Sequence, residues 1–532
     1  MKRLKKKYRF FLNIIIFGMV FIGLFALQGC KGISLVSGKS SETQSGTSAG
    51  ESGNSGTQDK NSNTGSNTGE QAAGVPDNSA NNSAAQDNGT DISQEASGAD
   101  DTNKNSVFIT WLDENNSFAF QYPADKLTLS SNVFVAAGTS TSKLSVMKNR
   151  LDSVNSGYYY LDKKQIEEDI AALKKGNFGA DIQYSYKPGQ KVRNIDGRFL
   201  KEFMIFSRSD CDVCFERVMV FYDDGFQYLV ISQGDTNTLK ESLSDYLVTD
   251  NKDCQGLASW GQGKIDALYS KLINGSAPEK VQQWYDSFDG IAANIVFDSS
   301  KITSLEKNSS CTVTGKSIYE NMPERKTEIT ASYPVFEDRK TPGLFDDVNS
   351  HIKGVVDPWI AKFMDSTADV SQNMPAGAAW ILQLQTDYAV EYLNGIILSL
   401  SFTDYAFTGG AHGGTISSTY DYDLVNKKEI SLSDIFKPGS DYLKFLSDYS
   451  FEDIKRQNTQ MGMDSMEDMI KPGVDPLIPE NFARFILTAD SLIIRFDQYQ
   501  VGPGAAGSYS VSIGYEKIKD LLNEDYAVIL LK

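Results

Sequence analysis

The stretch Tyr405-Ala-Phe-Thr-Gly-Gly-Ala-His-Gly-Gly414 sets one of only two histidines among four glycines. A histidine in such a loop can serve as a base, a metal ligand or a contact residue. Metal sites gather several His, Cys or carboxylate ligands. The other histidine, His351, stands on a predicted helix with no His-x-x-x-His or His-Glu-x-x-His pattern around it. A serine hydrolase of the elbow type needs Gly-x-Ser-x-Gly at a strand-to-helix turn, and none is present. No Lys-Ser/Thr follows the glycines, as a phosphate-cradling loop would require. No catalytic residue, metal or cofactor is therefore assigned. Two readings stay open. Gly409, Gly410, Gly413 and Gly414 could supply positive φ and close backbone approach at a bulged strand connection, with the imidazole bonded to nearby backbone. Alternatively, Tyr405, Phe407 and His412 form a ligand-contact loop.

A second loop of small residues, Val501-Gly-Pro-Gly-Ala-Ala-Gly507, includes Pro503 and Gly507 as structural positions. It is expected beside the first, shaping one edge of a sheet. Five cysteines remain. Cys211 and Cys214 form a Cys-x-x-Cys between two strand-like segments. A thioredoxin motif would open a helix in a βαβ unit, and a zinc pair would need a second Cys-x-x-Cys. The expectation is a local Cys211–Cys214 bridge, or one bridge involving Cys254 and Cys311. Tyr158-Tyr159-Tyr160 is the densest aromatic run and reads as core packing rather than a sugar-stacking surface.

The elements that must position these residues come after a long preamble. Residues 1–13 hold six Lys/Arg and no acid, and Ile14–Leu27 is an apolar run of 14 residues. That is an export signal, shorter than the ~20 residues of a spanning helix. Leu27-Gln28-Gly29-Cys30 resembles a bacterial lipoprotein signal, which implies cleavage after residue 29 and lipid on Cys30. Residues 30–104 are rich in Ser, Gly and Asn and have no aromatic, a composition that cannot offset its ordering entropy. A coil of this length has an r.m.s. span of roughly 45–50 Å. The formal charge is −18, and removing the six basic residues of 1–13 takes it to about −24. This disfavours nucleic acid and favours a cationic partner.

The rest reads as α+β in two regions, each a mostly antiparallel sheet packed with helices. In residues 105–300, Phe118–Pro123 is a strand ending on Tyr-Pro, and Ile166, Ile170 and Leu173 share a helical face. Phe199–Ser207, Phe215–Tyr222 and Phe226–Ser232 are strands, the last two joined by Asp224-Gly225, a two-residue hairpin signal. Helical patterns follow at 240–247, 263–273 and 280–288. This region resembles the PsbP-like sandwich of exported lipoproteins.

The second region, 311–532, divides into 311–380 and 381–532. It begins with a strand at 326–335 and a helix carrying Leu344, Val348, Ile352 and Val355, which Pro358 should interrupt. Strands at 382–393 and 396–402 flank Asn394-Gly395, the second with one buried and one wetter face. A third strand covers 412–423. Ser431 and Asp434 have capping-box spacing. A strand pair at 492–501 and 508–513 follows, and Tyr515, Ile518, Leu521 and Leu522 predict a closing amphipathic helix.

Residues 320–528 resemble the paired extracytoplasmic domains of the RsiV/PdaC type, domains of unknown function 4163 and 3298. The resemblance rests on Tyr333-Pro334 with its following helix, Phe407-Thr-Gly-Gly-Ala-His-Gly413 and Asp423-Leu-Val-Asn-Lys-Lys-Glu-Ile-Ser-Leu-Ser-Asp-Ile-Phe436. Phe496-Asp-Gln-Tyr-Gln-Val-Gly-Pro-Gly-Ala-Ala-Gly507 completes it. Departures are Asn426-Lys427, where relatives turn on glycine, and Gly504, where they carry a bulkier residue.

The family includes the outer half of a lysozyme-sensing anti-sigma factor and an accessory part of a peptidoglycan deacetylase. An anti-sigma factor needs a cytoplasmic domain, yet only about 13 residues precede the apolar run. A deacetylase needs a further catalytic domain, and none follows Lys532. The resemblance thus implies a non-enzymatic, membrane-anchored lipoprotein that binds a lysozyme-like cationic protein or peptidoglycan. The alternatives are a peptidoglycan-modifying enzyme with an unrecognised site, and an accessory subunit of an envelope or sporulation complex.

Overall fold

The computed structural model describes residues 108–124, 127–132, 142–151, 163–178, 189–206, 215–234, 242–248, 259–261, 263–309, 311–374, 380–410, 412–460, 463 and 466–531. The expectations for the export signal, Cys30, the tether, Tyr158–Tyr160, the Cys211–Cys214 bridge and Cys254 lie outside these residues. Cys311 carries a free, buried thiol.

The first half is strand-rich. β1 (Phe108–Asp113) and β2 (Ala119–Pro123) form a hairpin, and β3 (Leu127–Ser130) and β4 (Ser142–Arg150) run parallel to each other. Helix α1 (Lys163–Leu173) buries Ile166 and Leu173, as its spacing requires. β5 (Lys191–Ile195), β6 (Arg198–Phe206), β7 (Phe215–Asp223) and β8 (Phe226–Gln233) make an antiparallel meander. Asp224 and Gly225 both take positive φ, 44° and 78°, as a two-residue turn matched to strand twist needs. Of the helical pattern at 240–247, Ser244–Tyr246 is one 3-10 turn leading into β9 (Leu247–Val248), which pairs with β10 (Ser259–Trp260). Helices α2 (Lys264–Ile273), α3 (Glu279–Asn294) and α4 (Ser299–Asn308) follow. The last was not expected. Asp298 caps it, accepting from the amides of Ser300 and Lys301.

The second half starts with the antiparallel pair β11 (Thr312–Met322) and β12 (Thr327–Glu337), then α5 (Asp346–Gln372). The helix does not stop at Pro358. It continues for 14 more residues, because Val356 on one side and Phe363 on the other are both buried. Burying both turns outweighs the backbone bond that proline removes. β13 (Leu382–Leu393), β14 (Ile397–Phe407) and β15 (Gly414–Asp423) form a meander edged by β16 (Lys428–Glu429). Asn394 organises its turn with its side chain, Oδ1 accepting from the amides of Ile396 and Ile397. At the next turn the positive φ falls on Lys427 (52°), while Asn426 donates to Asp423. The capping box at Ser431–Asp434 opens α6 (Leu432–Ile435).

Helices α7 (Tyr442–Gln460) and α8 (Glu467–Gly473) precede a three-stranded sheet of β17 (Phe485–Leu487), β18 (Ser491–Phe496) and β19 (Tyr509–Gly514). Residues 515–517 are a 3-10 turn rather than a helix, and the closing helix is α9 (Glu524–Leu530), capped by Asn523.

The fold is α+β with a largely antiparallel sheet. The expected boundary near residue 300 is crossed by hydrogen bonds. β1 pairs in parallel with β11, and β3 pairs with β13, so strands of both regions share one sheet. β13 is the junction. Its first half pairs β12, its second half pairs β3, and β14 lines the opposite edge throughout. Trp111 of β1 lies across Gly315 of β11, where a Cβ would sit 2.8 Å from the indole. One buried cluster accordingly joins Ile109, Trp111, Phe120 and Tyr228 to Val348, Tyr388, Leu400 and Phe402. A second core, including Ile435, Leu446, Phe482, Ile494 and Val511, lies under the C-terminal sheet.

Candidate functional site

The glycine-rich stretch is the β14–β15 connection. Tyr405 pairs with Thr415 and Ala406 with Gly414, leaving 408–413 as the loop. Its glycines are not equivalent. Gly409 has φ 88°, and a Cβ there would meet Val370 Cγ1 of α5 at 2.9 Å. At Gly413 a Cβ would fall 2.3 Å from the Tyr405 hydroxyl, because the tyrosine ring lies across that backbone. Gly410 and Gly414 face open space. His412 is exposed, and its Nδ1 donates to the Gly413 carbonyl at 2.8 Å. The local-backbone reading of the imidazole thus describes its geometry. His351 lies elsewhere, half-buried on α5 and stacked on Tyr420 at 3.6 Å, where burial lowers its pKa.

The three contact candidates lie close together. The Tyr405 hydroxyl is buried without a hydrogen-bond partner among the described residues, and burial pushes its pKa up to about 12. Phe407 meets Trp380 edge-on at 5.9 Å, and Trp380 is 39% exposed. The second loop lies toward the same end. Arg484, just before β17, donates to the Ser417 carbonyl of β15 and pairs with Asp497, just after β18. That register carries residues 497–508 toward the end of the meander where 408–413 sits. Gly502 and Gly504 are packed by Tyr509 and Tyr499, and Gly507 has φ 74°. Pro503 caps the 3-10 turn at 504–506.

Antiparallel register also groups residues that sequence spacing did not. Gln385 is opposite Tyr405, Asp387 opposite Thr403, and Thr403 opposite Ser417. Directly opposed residues share a face, so one face of β13–β15 carries Gln385, Asp387, Thr403, Tyr405, Thr415, Ser417 and Thr419. Farther along the same face the C-terminal sheet covers Ser399 and Ser401, both fully buried rather than wet. Toward the glycine loop the face is part-exposed. Asp387 sits at its base and accepts from Gln385 Nε2 (2.7 Å), Ser131 Oγ (3.0 Å) and Asn132 Nδ2 (3.1 Å). Burial raises its pKa, partly offset by those donors. Sequence reasoning missed Asp387. The polar residues at alternate positions of 383–391 were its only signal, and two of the donors come from residues 131 and 132.

Comparison with known proteins places this geometry. The family model described as "Deacetylase PdaC" matches residues 321–415, and that of "Protein of unknown function (DUF3298)" matches 433–516. Residues 321–516 are thus a region of the PdaC and DUF3298 type. Peptidoglycan-N-acetylmuramic acid deacetylase PdaC of Bacillus subtilis (strain 168) is 32% identical over 195 residues, 37% of this chain. The chain spans about two-fifths of that relative's length, 39%. A DUF3298-family structure from Bacteroides fragilis matches at 20% identity and TM-score 0.33, covering 42% of this chain and 98% of its own. A second, from Pseudomonas aeruginosa PAO1, matches at 14% and 0.28, covering 41% and 95%.

The curated relative and the first family model both carry the name of a deacetylase. They overturn the expectation of a non-enzymatic binding protein and support the peptidoglycan-modifying alternative.

Proposed function

We propose that this chain is a peptidoglycan-modifying enzyme of the deacetylase kind, and that residues 321–516 engage the glycan. The observation that carries the reading is the 195-residue match, at 32% identity, to a protein named for deacetylating N-acetylmuramic acid. The reaction would be amide hydrolysis. Water adds to the acetamido carbonyl, the C–N bond breaks, and acetate and a free sugar amine result.

The part-exposed face of β13–β15 suits a hydroxyl-rich ligand. Gln385, Thr403, Ser417 and Thr419 offer groups that both donate and accept, and the buried Asp387 holds the Gln385 amide from below. Phe407 and Trp380 give flat apolar surface at the loop end, Tyr405 lies between the two zones, and His412 stands exposed on the loop. In this reading Tyr405, Phe407 and His412 are contacts to the glycan. Export, a lipid on Cys30 and a tether would bring the folded part to the wall.

The test is incubation of the whole chain with purified peptidoglycan, followed by muramidase digestion, mass spectrometry and an acetate assay. Muropeptides lighter by one acetyl group, with matching acetate, are expected. Unchanged masses with no acetate would overturn the reading. Radiolabelled palmitate should label the chain in cells, and Cys30→Ala should abolish the label.

A further inference from the structure

A second recess lies in the half of the chain that neither family model reaches. It has a volume of about 190 Å³ and is lined by Gly189, Gln190, Lys191, Glu202, Phe203, Met204, Arg217, Tyr269 and Tyr285. Its floor is charged and dry. Arg217 is 1% exposed, and its guanidinium donates to Glu202 (2.6 Å), Asp289 (2.9 Å) and the Tyr285 carbonyl (2.6 Å). Glu202 also takes Arg193 at 2.5 Å and Lys191 at 3.0 Å. Among the described residues these five groups comprise three cations and two carboxylates, one positive charge in surplus.

That surplus faces outward. Lys191 is the rim cation, 46% exposed; among the described residues its ammonium, with three donors, bridges Glu202 and acts on Asp289 through charge. The walls beside it are half-buried tyrosines. Gly189, at φ 73°, has no side chain, and a Cβ there would fall 2.5 Å from the Tyr269 hydroxyl. The recess therefore joins a half-solvated ammonium to two aromatic walls over a buried guanidinium. A network that only clamped α3 to the sheet would need neither the third cation nor the open mouth.

We infer that this recess binds the carboxylate of a small sugar acid or peptide, with Lys191 as the charge partner and Tyr269 and Tyr285 against the ligand's body. The inference does not rest on the deacetylase reading. A carboxylate entering here meets a net positive site and exchanges water for charge-assisted hydrogen bonds. The overall acidic surface makes this local reversal a selective feature rather than a general attraction.

The experiment is calorimetric titration of the whole chain with three probes: N-acetylmuramic acid, N-acetylglucosamine and D-alanyl-D-alanine. The first two differ by the lactyl ether that carries the carboxylate. At least one of the two acids should bind, and the neutral sugar should not. Binding of only one acid identifies the sugar or the peptide as the source. Affinity should fall with added salt, and Lys191→Met should weaken it about tenfold with the melting temperature unchanged. Equal binding of the neutral sugar, no heat from either acid at millimolar concentration, or an unaltered affinity in the Lys191→Met chain would each overturn the inference.

Discussion

Two ion networks lie in different parts of the chain, one reaching the surface and one buried, and they are built with opposite balance. In the first, Lys191, Arg193 and Arg217 surround Glu202 and Asp289. Burial pushes Glu202 upward, but hydrogen bonds and charge from Arg193 and Arg217 outweigh it and leave the carboxyl below its ordinary range. Asp289 moves the same way, its burial outweighed chiefly by Arg217. In the second network one guanidinium pairs with one carboxylate, and a second carboxylate stands nearby without an arginine among the groups that shift it. Arg495 of β18 donates to Glu391 of β13 at 2.9 Å, and Ser401 donates to the same oxygen at 2.6 Å. Asp421 of β15 accepts from Ser399 and the Leu487 amide. Burial pushes Asp421 up to about 8 despite those donors, with Glu391 and Glu429 adding to the rise.

The same residue types thus reach opposite protonation behaviour. Desolvation acts in both places, and the number of nearby cations decides the sign. The first network borders a recess of about 190 Å³. The second is buried between the C-terminal sheet and the meander.

The largest effect should come from breaking the second network. Arg495→Met leaves Glu391 buried without its guanidinium and should cost about 3–5 kcal/mol, read by denaturant unfolding. A loss below about 1 kcal/mol would show that this pair is not what holds the C-terminal sheet.

The pH response comes next and should separate the two networks. Asp421 binds its proton more tightly folded than unfolded, so its contribution is full in acid and is lost as pH rises from about 4 through about 8. Asp421→Asn should remove that slope and gain on the order of 4 kcal/mol relative to the parent between pH 5 and pH 8.5. Glu202 behaves the other way. Its stabilisation is present above the unfolded carboxylate pKa and is lost as pH falls through the depressed folded value. Hydrogen-exchange protection, corrected for the pH dependence of intrinsic exchange, should therefore fall in β6 and β7 on acidification and in β14 and β15 on alkalinisation. A fall in the protection of both segments in the same pH direction would refute the contrast.

A smaller effect belongs to the glycine-rich loop between β14 and β15. Gly413→Ala sets a methyl against the Tyr405 ring and should cost about 1–3 kcal/mol while weakening retention on insoluble peptidoglycan. Gly410→Ala, with open space around it, is the matched control. The smallest effect is expected at the exposed Lys444–Asp448 pair of α7, where Lys444→Ala should leave the unfolding midpoint unmoved.

Local structure was legible where one residue type answers one local demand. Asp224-Gly225 forced its hairpin, Ser431 and Asp434 capped α6, and the 3.6-residue spacing of Ile166, Ile170 and Leu173 produced α1. Where two local signals competed, burial decided. Pro358 argued for a helix end, yet Val356 and Phe363 carried α5 past it. Ser399 and Ser401 argued for a wet face, yet the C-terminal sheet closed over them. The glycine loop was half legible. Positive φ at Gly409 follows from glycine chemistry, whereas the ring of Tyr405 against Gly413 follows from strand register.

What the sequence by itself determined is therefore several of the strands and helices, the turns at Asp224-Gly225 and Asn394-Gly395, and the kinship of residues 321–516. All rest on interactions within a few residues or on an ordered series of short motifs. Only the tertiary structure decided that β1 joins β11, that β3 joins β13, and that Lys191, Glu202, Arg217 and Asp289 meet at one recess. These contacts span tens to hundreds of residues, and strand partners are chosen by shared burial and register rather than by local spacing. The lowered pKa of Glu202 and the raised pKa of Asp421 follow from the same fact. A carboxylate's chemistry is set by the cations and the water that the fold leaves beside it, and neither is written in its neighbours along the chain.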